Sequence, residues 1–116
     1  MTESFDNNLL DIELICVVTN YGWGSKVLKI SKKNGVTGGT VLLGRGTVKN
    51  RFLEFLSLND IRREIVLMVT EKNIAIKALE AIYKELKLHK PYNGIAFSIS
   101  VDDIIGIYQY NSKNIK

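Results

Sequence analysis

Glycines and basic residues carry most of the chemistry this chain could perform. From Gly35 to Thr47 the sequence reads GVTGGTVLLGRGT. Glycines at that density let backbone N–H groups come close to a bound anion. The backbone amides of Gly44 to Thr47 are therefore candidate ligand contacts. Arg45, among them, can meet a phosphate or form a surface salt bridge, and the sequence leaves both open. The run is not a Walker loop: it lacks the Gly-Lys-Ser/Thr ending and opens onto a strand. Gly22-Trp23-Gly24-Ser25 precedes a helical pattern. A tight strand-to-helix turn is its simpler reading, and an anion held by exposed helix amides the second.

Acid–base chemistry finds no partners. Asp102 and Asp103 are adjacent. Neighbours in a strand point to opposite faces, so a surface turn or helix cap is the better reading. His89 is the single histidine and no Cys/His cluster exists, so one chain is not expected to hold zinc. Cys16 is the single cysteine, set in ICVV with no basic neighbour. It reads as a buried core thiol. Glu64 precedes an apolar run and can accept a hydrogen bond from a ligand or pair with Arg62 or Arg63. No nucleophile stands with a positioned base, so no enzyme is expected.

The elements that must position these residues belong to one domain spanning the 116 residues. Residues 1–9 and 111–116 read as loose tails. No apolar run is long enough for a membrane span, and MTESFDNN is unlike a signal peptide, so a cytoplasmic location is expected. The net charge of +4 is spread along the chain, with lysines at helical spacing. Such lysines usually form a solvated helix face, and nucleic acid is not an expected partner.

Residues 11–19 form a β-branched strand. Ser25 then caps a helix to about Asn34 with Val27, Leu28 and Ile30 inward, and Gly35 ends it. A second strand covers 40–43, and residues 45–59 form a loop with one helical turn around Phe52, Leu53 and Leu56. A third strand covers 61–70. Asn73 caps a second helix to about Leu88, with Ile74, Ala78, Leu79, Ile82 and Leu86 at three- and four-residue steps. Pro91 and Asn93-Gly94 stop it, a fourth strand covers 95–101, and a short last strand lies near 106–110. The order predicts an α+β fold, the ferredoxin-like βαββαβ sandwich, with two helices on one face of a four-stranded antiparallel sheet.

That sheet has a second face, and it is not polar. Leu14, Cys16 and Val18 lie on one side of the first strand, and Ile15 and Val17 on the other. In the third strand Ile65, Leu67 and Val69 oppose Val66 and Met68. An apolar face left open is an interaction surface, so copies of the chain are expected to bury it. The argument yields association and not the number of copies.

In this order and spacing, GVTGGTVLLGRGT, REIVLMV and NGIAFSISV resemble the PII nitrogen-regulatory family of signal-transduction proteins, over about Asp11 to Gly106. GWGSKVLKI and GRGT look closer to a divergent PII-like branch. The resemblance implies a homotrimer that binds adenine nucleotides between neighbouring subunits. It also implies regulation of a target protein (a transporter, an enzyme or a transcription factor) through the loop after the second strand, here 45–59. Gly38 and Thr40 match the GxT that holds the adenine, Glu64 matches the acidic position of the third strand, and Asn93-Gly94 matches an Asp-Gly turn. Either Gly44 or Gly46 serves the glycine at the end of the second strand.

The departures point to a smaller ligand. Ile95 replaces the family's phosphate-binding lysine, and two further basic positions fall at Gly106 and Tyr108. Lys90 and Lys49 are partial substitutes. A triphosphate needs charge-assisted donors, so AMP, ADP or another small anion is expected ahead of ATP, with no tightly bound cofactor. The loop is short and holds no tyrosine, so uridylylation is not expected. Its apolar stretch Phe52–Leu56 either docks a partner or packs on the trimer. Two other functions compete. An RNA-recognition module shares the element order but stacks bases on aromatics of the first and third strands, which have none here. A nucleotide hydrolase would need the missing base and nucleophile.

Overall fold

The computed structural model describes residues 11–47 and 60–106. The loose tails, Lys49, the Phe52–Leu56 turn, Tyr108 and the last strand beyond Gly106 lie outside the described residues. The element order is β1 (Ile12–Asn20), α1 (Gly24–Lys33), β2 (Thr40–Thr47), β3 (Asp60–Glu71), α2 (Lys72–Glu85) and β4 (Gly94–Val101). The strands form one sheet in the order β2-β3-β1-β4, antiparallel at every pairing, which is the ferredoxin-like arrangement. No helix among the described residues is long and apolar enough to cross a membrane.

Strand parity decides what is buried. Glu13, Ile15, Val17 and Thr19 of β1 face the helices and are buried. Their β3 partners Thr70, Met68, Val66 and Glu64 share that face. Ile15, Val17, Val66 and Met68 pack against Val27 and Ile30 of α1 and Ala75, Ala78 and Ile82 of α2. The two buried polar side chains at the ends of the β1 row are satisfied. Thr19 Oγ1 donates to the Asn93 carbonyl at 2.9 Å, and Ser100 Oγ donates to Glu13 Oε2 at 3.1 Å.

The other face carries a register of apolar rows. Leu14 lies between Val69 and Ile99, Cys16 between Leu67 and Phe97, and Val18 between Ile65 and Ile95. On β4, Ile95, Phe97 and Ile99 are 59%, 41% and 52% exposed. Cys16 is therefore not in the core. It is half-buried on the open face, because an even-numbered residue of β1 points away from the helices.

Four boundaries differ from expectation. α1 begins at Gly24, and Ser25 is not its cap; Trp23 takes that position with no side-chain cap. The turn closes early because Trp23 N–H donates to the Asn20 carbonyl at 3.0 Å. α2 begins at Lys72 rather than after Asn73, since the Lys72 amide is already held by the Asp11 carbonyl at 2.8 Å. It ends at Glu85, with Leu86 closing it instead of Leu88. β2 runs on to Thr47, so Arg45, Gly46 and Thr47 belong to a strand and not to the 45–59 loop. Pairing from Gly44 opposite Arg63 to Thr47 opposite Asp60 extends the hairpin.

Candidate functional site

The residues singled out from the sequence gather mostly at one end of the sheet, where β1 finishes, β2 runs outward and β3 and β4 begin. Parity divides them between the two faces.

On the helix face, Glu64 Oε1 accepts the Gly24 N–H at 2.6 Å. The first amides of a helix lack intrahelical partners, and a carboxylate there also meets the positive end of the helix dipole. A strand forty positions away thus supplies the acid that α1 lacks in its own first turn. Contact at this place demands glycine. A Cβ on Gly24 would sit 2.5 Å from Glu64 Oε1 and 2.9 Å from Val41 Cγ1. One row further out, Arg45 stands opposite Arg62, whose guanidinium lies 4.1 Å from the Tyr21 ring centre. This contact occupies a face of the ring and leaves Arg62 exposed.

On the open face the central residue is Arg63. Its Nη1 donates to Asn20 Oδ1 at 2.6 Å and to the Tyr92 carbonyl at 3.0 Å. One guanidinium therefore ties the end of β1 to the turn before β4. Gly44 faces Arg63 across the ladder, and a Cβ on Gly46 would come within 3.2 Å of the arginine chain. The turn itself is held by Asn93, whose Nδ2 donates to the Leu86 and Lys87 carbonyls, both at 3.0 Å. That closes the C-terminus of α2. Lys90 takes part through its backbone, donating to the Lys87 carbonyl and accepting from Asn93 N–H, while its side chain is exposed. Gly94 has φ +124°, and a Cβ there would collide with the Val18 carbonyl.

Gly44 and Gly46 thus lie beside Arg63, and the turn holding Lys90, Asn93 and Gly94 is tied to it through the Tyr92 carbonyl. Thr40 shares the face of Gly44 and Gly46 but lies opposite Leu67, four residues along β2 from Gly44, a span of about 13 Å. Gly38 is exposed before the strand starts. Glu64 and Arg45 belong to the helix face, and Thr47 ends β2 opposite Asp60. Within one chain these residues are divided between the two faces of the sheet. Sequence reasoning missed Asn20 and Tyr92 and gave Arg63 only a pairing role. The signal for them is register, Asn20 opposite Arg63, and it becomes visible only once the strands pair.

The arrangement offers fixed cations, backbone amides and flat apolar surface. Among the described residues no group of three or more His, Cys, Asp or Glu could hold a metal. A separate apolar groove of about 360 Å³ between α2 and β4, lined by Ile76, Leu79, Tyr83 and Ala96 among others, contains none of the expected residues.

No protein-family model matches the chain, and no curated protein does. Solved structures do. The chain is similar to a complex of B. subtilis GlnK with ATP, at 22% identity and TM-score 0.63, over 84% of this chain and 88% of that one. It is similar to Arabidopsis thaliana PII bound to citrate, at 17% identity and TM-score 0.65, over 85% of each chain. It is also similar to a PII-like signalling protein of Thermus thermophilus, at 17% identity and TM-score 0.61, over 79% of this chain and 87% of that one. At these identities the likeness is one of fold: the chain has the fold of the PII and PII-like signalling proteins.

Proposed function

We propose that this protein is a PII-like regulatory sensor that catalyses nothing. It assembles as a homotrimer and binds AMP, ADP or another small anion in clefts between subunits. Occupancy reaches a target protein through the segment that follows β2, in nitrogen metabolism or a related pathway.

The open sheet face carries this reading. Nine apolar-row residues, Leu14, Cys16, Val18, Ile65, Leu67, Val69, Ile95, Phe97 and Ile99, present themselves on the side the helices leave uncovered. Burial of such a surface is worth about 25 cal/mol per Å² removed from water, which favours association strongly. Self-association also accounts for the scattered site. Residues that do not meet within a subunit can meet across a boundary, as Thr40 on one copy and the Arg63 cluster on another. The ligands in two solved structures of the same fold, ATP with B. subtilis GlnK and citrate with Arabidopsis PII, are anionic, and fixed donors suit such ligands.

Sedimentation with and without nucleotide tests both halves. A trimer whose melting temperature rises with ADP or AMP supports the reading. A monomer that responds to no nucleotide or small anion in a thermal-shift screen would falsify it.

A further inference from the structure

One surface is left unused by this reading. The exposed half of α1 consists of Ser25, Lys26, Lys29, Lys32 and Lys33, and the helix GSKVLKISKK contains no carboxylate. At 100° per residue Lys29 lies at the middle of that half, with the other four on either side. The N-terminal end of α1 abuts β3 through Gly24 and Glu64, and two residues from Glu64 on the same face of β3 stands a further cation, Arg62, stacked on Tyr21. The carboxylate at this junction, Glu64, is already bound to Gly24. Beside Arg62 on the same face stands Leu43, 68% exposed and opposite Glu64.

We propose that this strip, Lys26, Lys29, Lys33 and Arg62, docks an acidic segment of a partner protein, with one apolar residue of that segment seated on Leu43 and Tyr21. The inference rests on the regulatory reading above, since a sensor of this kind must touch its target. Charge complementarity selects an anionic partner. Three observations select protein over the other polyanions. The apolar residues Val27 and Ile30 of α1 point into the core, so the helix has no face to enter a bilayer. Tyr21 carries Arg62 on one face of its ring and Trp23 packs against the core, so this strip sets no second open aromatic beside Tyr21 on which successive bases could stack. An exposed leucine and tyrosine next to an arginine resemble the centre of a protein interface, where aromatics and arginine concentrate.

Fluorescence anisotropy on the full chain tests this with a labelled oligoglutamate peptide carrying one leucine, the same peptide without it, phosphatidylserine vesicles and a short DNA duplex. The leucine peptide is expected to bind best at low ionic strength and to be released by salt. Lys29→Gln with Lys33→Gln and Arg62→Gln should weaken it about tenfold. Lys72→Gln with Lys77→Gln and Lys84→Gln on α2, an equal loss of charge, should change it less than about twofold. Leu43→Ser should abolish the advantage of the leucine. Tighter binding of vesicles or duplex, equal weakening by the α2 control, or no binding of either peptide overturns the proposal. ADP response and sedimentation of the same samples separate the two readings. A chain that takes nucleotide but ignores the peptide loses the docking strip alone, and one that binds the peptide as a nucleotide-blind monomer loses the sensor alone.

Discussion

Gly24 and Glu64, forty residues apart in the chain, are joined by a 2.6 Å hydrogen bond from a helix amide to a strand carboxylate. The bond anchors α1 to β3 and satisfies the end of α1 that has no side-chain cap. It also changes what Glu64 offers a ligand. Its Oε1 reaches an incoming donor only by sharing or leaving the Gly24 amide, while Oε2 lies outside that bond. The anion that exposed amides at Gly22–Ser25 would draw from solution is, at this amide, supplied by the protein itself.

Removing either member should loosen the helix. Glu64→Gln keeps the shape but loses the charge and should cost about 1 kcal/mol in urea unfolding. Gly24→Ala should cost about 1–3 kcal/mol, because its Cβ meets Glu64 and Val41 together. Combined with Glu64→Ala the alanine at 24 should hurt less, since one of its two obstacles is gone. Strict additivity of the pair would contradict the contact.

Gly94 should tolerate no side chain. Its φ of +124° and its approach to the Val18 carbonyl make Gly94→Ala a loss of about 3 kcal/mol, readable as a lower denaturant midpoint. Asn93→Ala should cost about 1–2 kcal/mol through the two carbonyls it leaves at the end of α2.

The open face should govern assembly without governing the fold. Phe97→Asp with Ile99→Lys places charges on the side away from the helices. Sedimentation should then give single chains with an unchanged far-ultraviolet spectrum, and ADP should no longer raise the melting temperature. A trimer surviving this change would remove the sheet face from the interface.

Arg63 should matter to ligand and scaffold alike. At a hundred times its dissociation constant a single-site ligand stabilises by about 2.7 kcal/mol, about 10 °C or more for a domain of this size. Arg63→Gln should reduce that shift for ADP and lower the melting temperature of the free protein by freeing the Tyr92 carbonyl. If Thr40→Val together with Glu64→Ala left the affinity of the best nucleotide untouched, those two residues would have no part in the site.

Ser31 should be better replaced than kept. Its hydroxyl is buried on α1 and finds no hydrogen-bond partner among the described residues. Ser31→Ala removes that cost and improves helix propensity, so a gain of about 1 kcal/mol is expected.

Much of this was legible in the chain itself. β-branched runs at 11–19 and 61–70, the three- and four-residue steps of Ile74 to Leu86, and the Asn93-Gly94 turn mark the elements and their order, because these signals are local and periodic. Right-handed crossovers then leave little choice of topology. That both faces of β1 and β3 are apolar is equally plain from alternation. Site geometry was less legible. Glu64 looked like a ligand acceptor or an arginine partner, and Arg45 to Thr47 looked like loop, since glycines in GRGT mask a strand whose pairing is made by residues elsewhere.

By itself, then, the sequence determined a βαββαβ domain with more apolar sheet surface than two helices can cover, for hydrophobic period and turn chemistry act within a few residues. The tertiary structure alone decided which face stays open, so that Cys16 left the core, and which partners meet: Glu64 with Gly24, Arg63 with Asn20 and Tyr92. Parity separates a strand into two faces without choosing between them. That choice, and the register that brings distant side chains within hydrogen-bond reach, follows only from packing the whole chain at once.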